Sequence, residues 1–108
     1  CPHCLDLESK QAELKKAFSY AQTQYVQLRK QFEEKSAILA QTRKELFHTQ
    51  EKLQVQEMEL KSSQLDPDRS ELREYEKEVS SLILEIELLE EEIHSLEEII
   101  SFNQLYLN

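Results

Sequence analysis

Between residues 72 and 107 the chain repeats an apolar pattern every seven residues, at Leu72, Tyr75, Val79, Leu82, Ile86, Leu89, Ile93, Leu96, Ile100 and Leu107, with Asn103 as the polar member. Lettering the repeat a to g with Leu72 at a, the a row holds Leu72, Val79, Ile86, Ile93, Ile100 and Leu107. The d row holds Tyr75, Leu82, Leu89, Leu96 and Asn103. Alternate spacing of three and four residues collects these side chains into one stripe along an α-helix, and such a stripe is stable only when another helix covers it. This stretch is therefore expected to be the surface through which the chain meets a helical partner.

The rest of the chain gives this helix no compact sheet or mixed core to pack on. Gly is absent, only two Pro occur, and 32% of the residues are charged. A mixed fold of this length draws on Gly for turns that need positive φ. From Leu5 to Ser63 there is no helix breaker, and Gln, Glu, Lys, Leu and Ala dominate. These are good helix formers. A second heptad runs through this stretch, with a at Gln11, Phe18, Tyr25, Phe32, Leu39, Leu46, Leu53 and Leu60. Its d row is Leu7, Leu14, Ala21, Leu28, Lys35, Thr42, Thr49 and Gln56. This seam is apolar to about Phe32 and half polar beyond it, and polar d residues weaken a two-stranded coil.

The strongest punctuation is Ser62-Ser63-Gln64-Leu65-Asp66-Pro67-Asp68. Pro67 cannot donate an N–H and pushes Asp66 out of helical geometry. Asp66 suits an N-cap, Pro67 the first helical position, and Asp68 and Glu71 the first turn. The two heptads are also out of phase across this point. The predicted fold is all-α: two long helices, about 5–63 and 67–105, separated by a break at 64–67. They form a helical hairpin or a kinked coiled coil within a multi-helix bundle. The expected organisation is an irregular Cys-Pro-His-Cys start at 1–4, a coiled-coil helix at 5–63, a turn or kink at 64–67, and an acidic coiled-coil helix at 68–108.

Charge narrows the choice of partner. The net charge is −9. Residues 1–65 are nearly balanced, with ten Lys/Arg against nine Asp/Glu, whereas residues 66–108 hold three against thirteen. The acidic half would repel phosphates, so no nucleic-acid partner is expected. The e and g positions beside the second seam carry Glu71, Glu76, Glu78, Glu85, Glu90, Glu92 and Glu97. Self-pairing sets Glu against Glu at a few tenths of a kcal/mol per contact, while each buried Ile or Leu contributes about 1.5–3 kcal/mol. Self-association is thus tolerated, and a partner helix with basic flanks is preferred. The first helix is one candidate, through Lys10, Lys15, Arg29, Arg43 and Lys52; its polar d row is the obstacle. Ile83, Leu84, Leu88 and Ile99 lie off the seam, so more than one face of the second helix needs cover. The expected partner surface comprises the apolar seam from Leu72 to Ile100 and the aromatic stripe Phe18, Tyr25 and Phe32.

Cys1-Pro2-His3-Cys4 is the one site-like motif. Two thiolates three residues apart can hold one side of a tetrahedral zinc ion. In its Cys-Pro-x-Cys form the segment resembles the zinc hook, in which a second copy supplies the other Cys pair. Alternatively, Cys1 and Cys4 are the last ligands of a RING-type finger lying upstream. No cofactor is expected; the alternative is zinc at Cys1 and Cys4. A redox pair or bystander cysteines are further readings, and a reducing, cytoplasmic compartment suits them all. His48 and His94 read as surface residues. The run Glu90-Glu91-Glu92 points in several directions around a helix and reads as a solvated face. No phosphate loop and no nucleophile–base pair is recognisable, so no enzyme is expected. No stretch is long and apolar enough to insert in a membrane. The function expected is a non-catalytic oligomerisation, scaffold or adaptor segment; the alternative is the coiled-coil arm of a zinc-binding protein such as a RING-type ligase.

Overall fold

A computed structural model describes residues 1–63 and 65–107, without the side chains of Tyr106 and Leu107. Gln64 in the expected break, Asn108 at the chain's end and the side chain of the expected a residue Leu107 lie outside the described residues. Helix α1 spans Pro2–Ser62 and helix α2 spans Ser70–Leu107. There is no strand among the described residues.

α1 starts earlier than the sequence suggests. Of the expected irregular segment 1–4, Pro2, His3 and Cys4 belong to its first turn, and the Leu5 N–H donates to the Cys1 carbonyl at 3.2 Å. The physical reason is the place of Pro2. At the first helical position its missing N–H has no intrahelical partner to lose, and its fixed φ already suits the helix. At the other end, the Ser63 N–H turns onto the Leu60 carbonyl at 3.3 Å and the Ser62 hydroxyl donates to the Glu59 carbonyl at 3.0 Å. These bonds serve carbonyls that lack a partner within the last turn.

α2 begins later than expected. The cap is Asp68, not Asp66: its Oδ1 accepts the Ser70 N–H at 3.0 Å. The Arg73 N–H donates to the Arg69 carbonyl at 3.1 Å. A start at Pro67 would coil three further residues that carry no seam side chain, and Asp68 offers an equally good capping oxygen beside the first seam residue, Leu72. The connection between the helices uses ordinary backbone, with no residue at positive φ among those described. Without Gly a tight left-handed reversal is unfavourable; Ser63 and residues 65–69 lie outside both helices, with Pro67 half-buried.

The packed residues fall into two units. Lys35–Ile93 form one. Here Lys35 meets Glu92 and Arg43 meets Glu90, so the residue numbers rise along one helix as they fall along the other. This is an antiparallel helical hairpin, the first of the two arrangements the sequence allowed. Its interior is one stripe per helix. Leu72, Leu82, Ile86 and Ile93 of α2 are buried, together with Thr42 and Thr49 of α1. The other unit joins Cys1–Glu34 to His94–Asn108. Leu96 and Ile100 are its buried residues, and Ala21, Tyr25, Leu28, Phe32 and Asn103 are half-buried. No described side chain is less than 2% exposed. Two cylinders touching along a line bury a stripe and no thick core.

Candidate functional site: a helix–helix seam

The seam is built by heptad position. Every described a and d residue of α2 from Leu72 to Asn103 is buried or half-buried. On α1 the same holds from Ala21 to Leu60, with each residue on the a or d row read from the sequence. Tyr25 and Phe32 of the aromatic stripe join it. Phe18 does not: it stands 49% exposed, as do Leu7 at 49% and Leu14 at 70%.

The polar d row of α1 does not disrupt the seam, because its hydroxyls are satisfied within their own helix. Thr42 and Thr49, only 4% and 5% exposed, donate to the carbonyls of Ile38 at 2.7 Å and Glu45 at 2.8 Å. A threonine bonded back to the residue four before it keeps its donor engaged and leaves its methyl group as packing surface. A buried hydroxyl without a partner would cost about 1–3 kcal/mol; no buried side-chain N or O among the described residues lacks one. Lys35, a charged d residue, is half-buried and ends on the Glu92 carboxylate.

The basic flank that α2 calls for is supplied in part by α1. Arg43 Nη2 lies 2.9 Å from Glu90 Oε1, an e residue facing an e residue. Both side chains are about half exposed, so the pair is worth little in stability; its value is in fixing direction and register. Other cations have local company. Lys10 Nζ sits 3.3 Å from Asp6 in its own helix, and the Arg29 guanidinium lies 5.7 Å from the Phe32 ring centre. In the unit of Cys1–Glu34 and His94–Asn108, Gln104 Nε2 donates to the Tyr25 hydroxyl at 3.0 Å. The uncharged end of α2 thus holds a specific contact.

Tyr75, a half-buried d residue, donates its hydroxyl to Glu71 Oε1 at 3.1 Å. That bond to a carboxylate holds its pKa above the usual phenol value, helped by desolvation and by the charges of Glu71, Glu78 and Glu59. Asp68 is shifted the other way. The Ser70 backbone N–H, then the Ser70 side chain, favour its carboxylate over the opposing desolvation, with Arg73 adding attraction. Both shifts arise from helix-end and surface bonds, not from an enclosed cleft. An open groove lined by His48, Glu51, Lys52, Val55, Gln56 and Tyr75 runs beside the hairpin. His48 and His94 sit on the surface, near Glu51 at 3.5 Å and Glu98 at 3.1 Å.

Cys1, just before α1, and Cys4, in its first turn, are exposed free thiols. Three residues apart at the start of the helix, they offer two ligands. Among the described residues no group of three His, Cys, Asp or Glu is placed to hold a metal ion. Two thiols supply half of the ligands of a tetrahedral zinc site.

Outside the seam both helices expose further apolar side chains. On α2, Leu84 and Leu88 are 61% and 60% exposed, with Ile83 beside them at 39%. On α1, Phe47, Val55 and Met58 are exposed at a spacing that keeps them on one face. The signal was present as a four-and-three spacing offset from the main heptad, interrupted by Glu51. No described helix is long and apolar enough to cross a membrane. No family model matches the chain, and no curated protein or solved structure matches it.

Proposed function

We propose that this chain is a non-catalytic coiled-coil segment that assembles with other helices, of its own kind or of a partner protein, as a scaffold or adaptor element. The observation that carries the reading is the apolar surface left outside the hairpin seam, above all Leu84 and Leu88 on the face of α2 away from α1. A fully buried Leu contributes about 1.5–3 kcal/mol, so a helix laid across this face gains from covering it. A helix apolar on more than one side is characteristic of multi-helix packing.

Glu85, Glu87 and Glu91 border this face, and the carboxylates favour a partner helix flanked by Lys or Arg and disfavour nucleic acid. The two exposed free thiols suit a reducing, cytoplasmic setting. Light scattering on the purified chain, alone and with basic coiled-coil partners, tests the reading. Leu84→Glu with Leu88→Glu should weaken assembly while leaving helicity by circular dichroism unchanged. A chain that stays monomeric with every helical partner, or whose assembly ignores all of its exposed apolar residues, contradicts the proposal.

A further inference from the structure

The Arg43–Glu90 pair marks one side of the antiparallel hairpin, the side on which the two helices bring their e rows together. Phe47 stands one turn past Arg43 toward the reversal, about 6 Å along α1, and Ile83 stands seven residues from Glu90 toward the same end, about 10 Å along α2. The two are therefore nearly level, one on each helix, and they are 58% and 39% exposed. We propose that this side of the hairpin docks on the same side of a second copy of the chain, giving a four-helix bundle. The proposal rests on the helical-assembly reading above and names one partner and one surface for it.

Charge selects the side and the occupant. Between Lys35 and Ile93 the e and b rows of the two helices carry four Glu against three Lys or Arg, so two such sides can approach without strong repulsion. The g and c rows, on the opposite side, carry seven Glu against Lys52 alone, and like charges oppose self-docking there. A two-fold axis parallel to the helices lays α1 of each copy antiparallel on α2 of the other, and such an interface must be self-complementary. Residue levels are unchanged by this axis. Phe47 therefore packs on the second copy's Ile83, Arg43 reaches the second copy's Glu87, and the axis repeats both contacts. Glu87 is exposed, one turn from Glu90 on the same side. A two-fold axis across the helices would instead stack α2 on α2 and gather Glu76, Glu87 and Glu90 of both copies, which disfavours it. The size is also suitable. Two helices about 35–40 Å long and together roughly 20 Å wide present on the order of 750 Å², near the roughly 800 Å² per partner of a standard specific interface. Only two large apolar side chains per copy lie at its centre, so the dimer is weak and concentration-dependent.

Sedimentation equilibrium of the full chain over micromolar to millimolar concentration tests this, with circular dichroism confirming that each variant keeps its helicity. The wild type should show a monomer–dimer equilibrium. Phe47→Glu should abolish it. Arg43→Glu and Glu87→Lys should each weaken it by roughly tenfold, because two symmetry-related pairs turn from attraction to repulsion. An equimolar mixture of these two single variants should restore dimerisation to within about twofold, since in the mixed dimer both pairs attract again. Restoration on mixing is specific to a contact between copies, because within either chain alone the altered charges still repel. A wild-type monomer throughout overturns the proposal, as does a mixture no tighter than its components. An oligomer that ignores Phe47→Glu but dissolves on Leu84→Glu with Leu88→Glu also overturns it, while leaving the broader assembly function standing. The same holds if this side of the hairpin is captured only by a helix of a different protein.

Discussion

The Thr42 hydroxyl donates to the Ile38 carbonyl at 2.7 Å, turning a polar residue at a buried seam position into one that shows its neighbours a methyl group. The carbonyl it reaches also belongs to the helical ladder, so the hydroxyl's own desolvation is relieved without opening α1. The consequence is measurable. Thr42→Val removes donor and bond together and should be neutral or stabilising by up to about 1 kcal/mol. Thr42→Ala also removes the methyl and should cost about 1 kcal/mol. Urea unfolding followed by circular dichroism gives both values, and a Val variant less stable than the Ala variant would show that the hydroxyl has another task.

Burial separates α2 into residues that hold the hairpin and residues that do not. Ile93 is 9% exposed and Leu84 is 61% exposed. Ile93→Ala should cost about 2–3 kcal/mol, near the low end for a core truncation because the stripe is thin. Leu84→Ala should stay within about 0.5 kcal/mol for the dilute chain. Denaturant midpoints at low protein concentration read the difference; equal losses at the two positions would contradict the assigned packing.

The Arg43–Glu90 pair is half in water, with side chains 59% and 49% exposed. A double-mutant cycle with Arg43→Ala and Glu90→Ala should return a coupling of about 0.2–1 kcal/mol. The coupling should fade at about 1 M salt, where charges are screened within roughly 3 Å. A coupling of several kcal/mol, or one indifferent to salt, would mean that the pair is far less solvated than its exposure indicates.

Asp68 links the start of α2 to pH. Its carboxylate accepts the Ser70 N–H and is held below the ordinary Asp pKa chiefly by that bond. For a depressed acid, the stability it confers is complete above the unfolded pKa, near 4, and is lost as pH falls through the folded pKa. Asp68→Ala should therefore lower the melting temperature at neutral pH, with the difference closing in strong acid. Asp68→Ser keeps a capping oxygen that does not titrate, so it should retain most of the stability and remove this share of the acid dependence. An Asp68→Ala deficit that persists unchanged below about pH 2 would place the effect elsewhere.

Heptad spacing makes the helices and their inward faces legible in the sequence. Leu72 to Asn103 and Ala21 to Leu60 lie on the seam as lettered, because a three-and-four period leaves a helix only one continuous stripe to bury. The hairpin itself was less legible. Lys35, Thr42, Thr49 and Gln56 look like defects in one dimension, and only the backbone bonds of the threonines and the reach of Lys35 to Glu92 show how a second helix tolerates them. Helix ends were shifted where two acceptable signals compete: Asp66 and Asp68 are both good caps, and Pro2 closes a helix start as readily as it marks an irregular one. Phe18 shares a row with Tyr25 and Phe32, yet spacing alone does not separate the exposed member of that row from the half-buried ones.

The reversal between the helices has a consequence for how this chain tolerates change. Between the arms, Ser63 and residues 65–69 have ordinary backbone, and none of them relies on a conformation reserved for glycine. Most side chains can therefore be exchanged in that stretch with small effect, Pro67 and Asp68 being the positions where chemistry is specific. The loop is the natural place to insert a fluorophore site or a short tag. A saturation scan across it should give a nearly flat profile interrupted at those two residues.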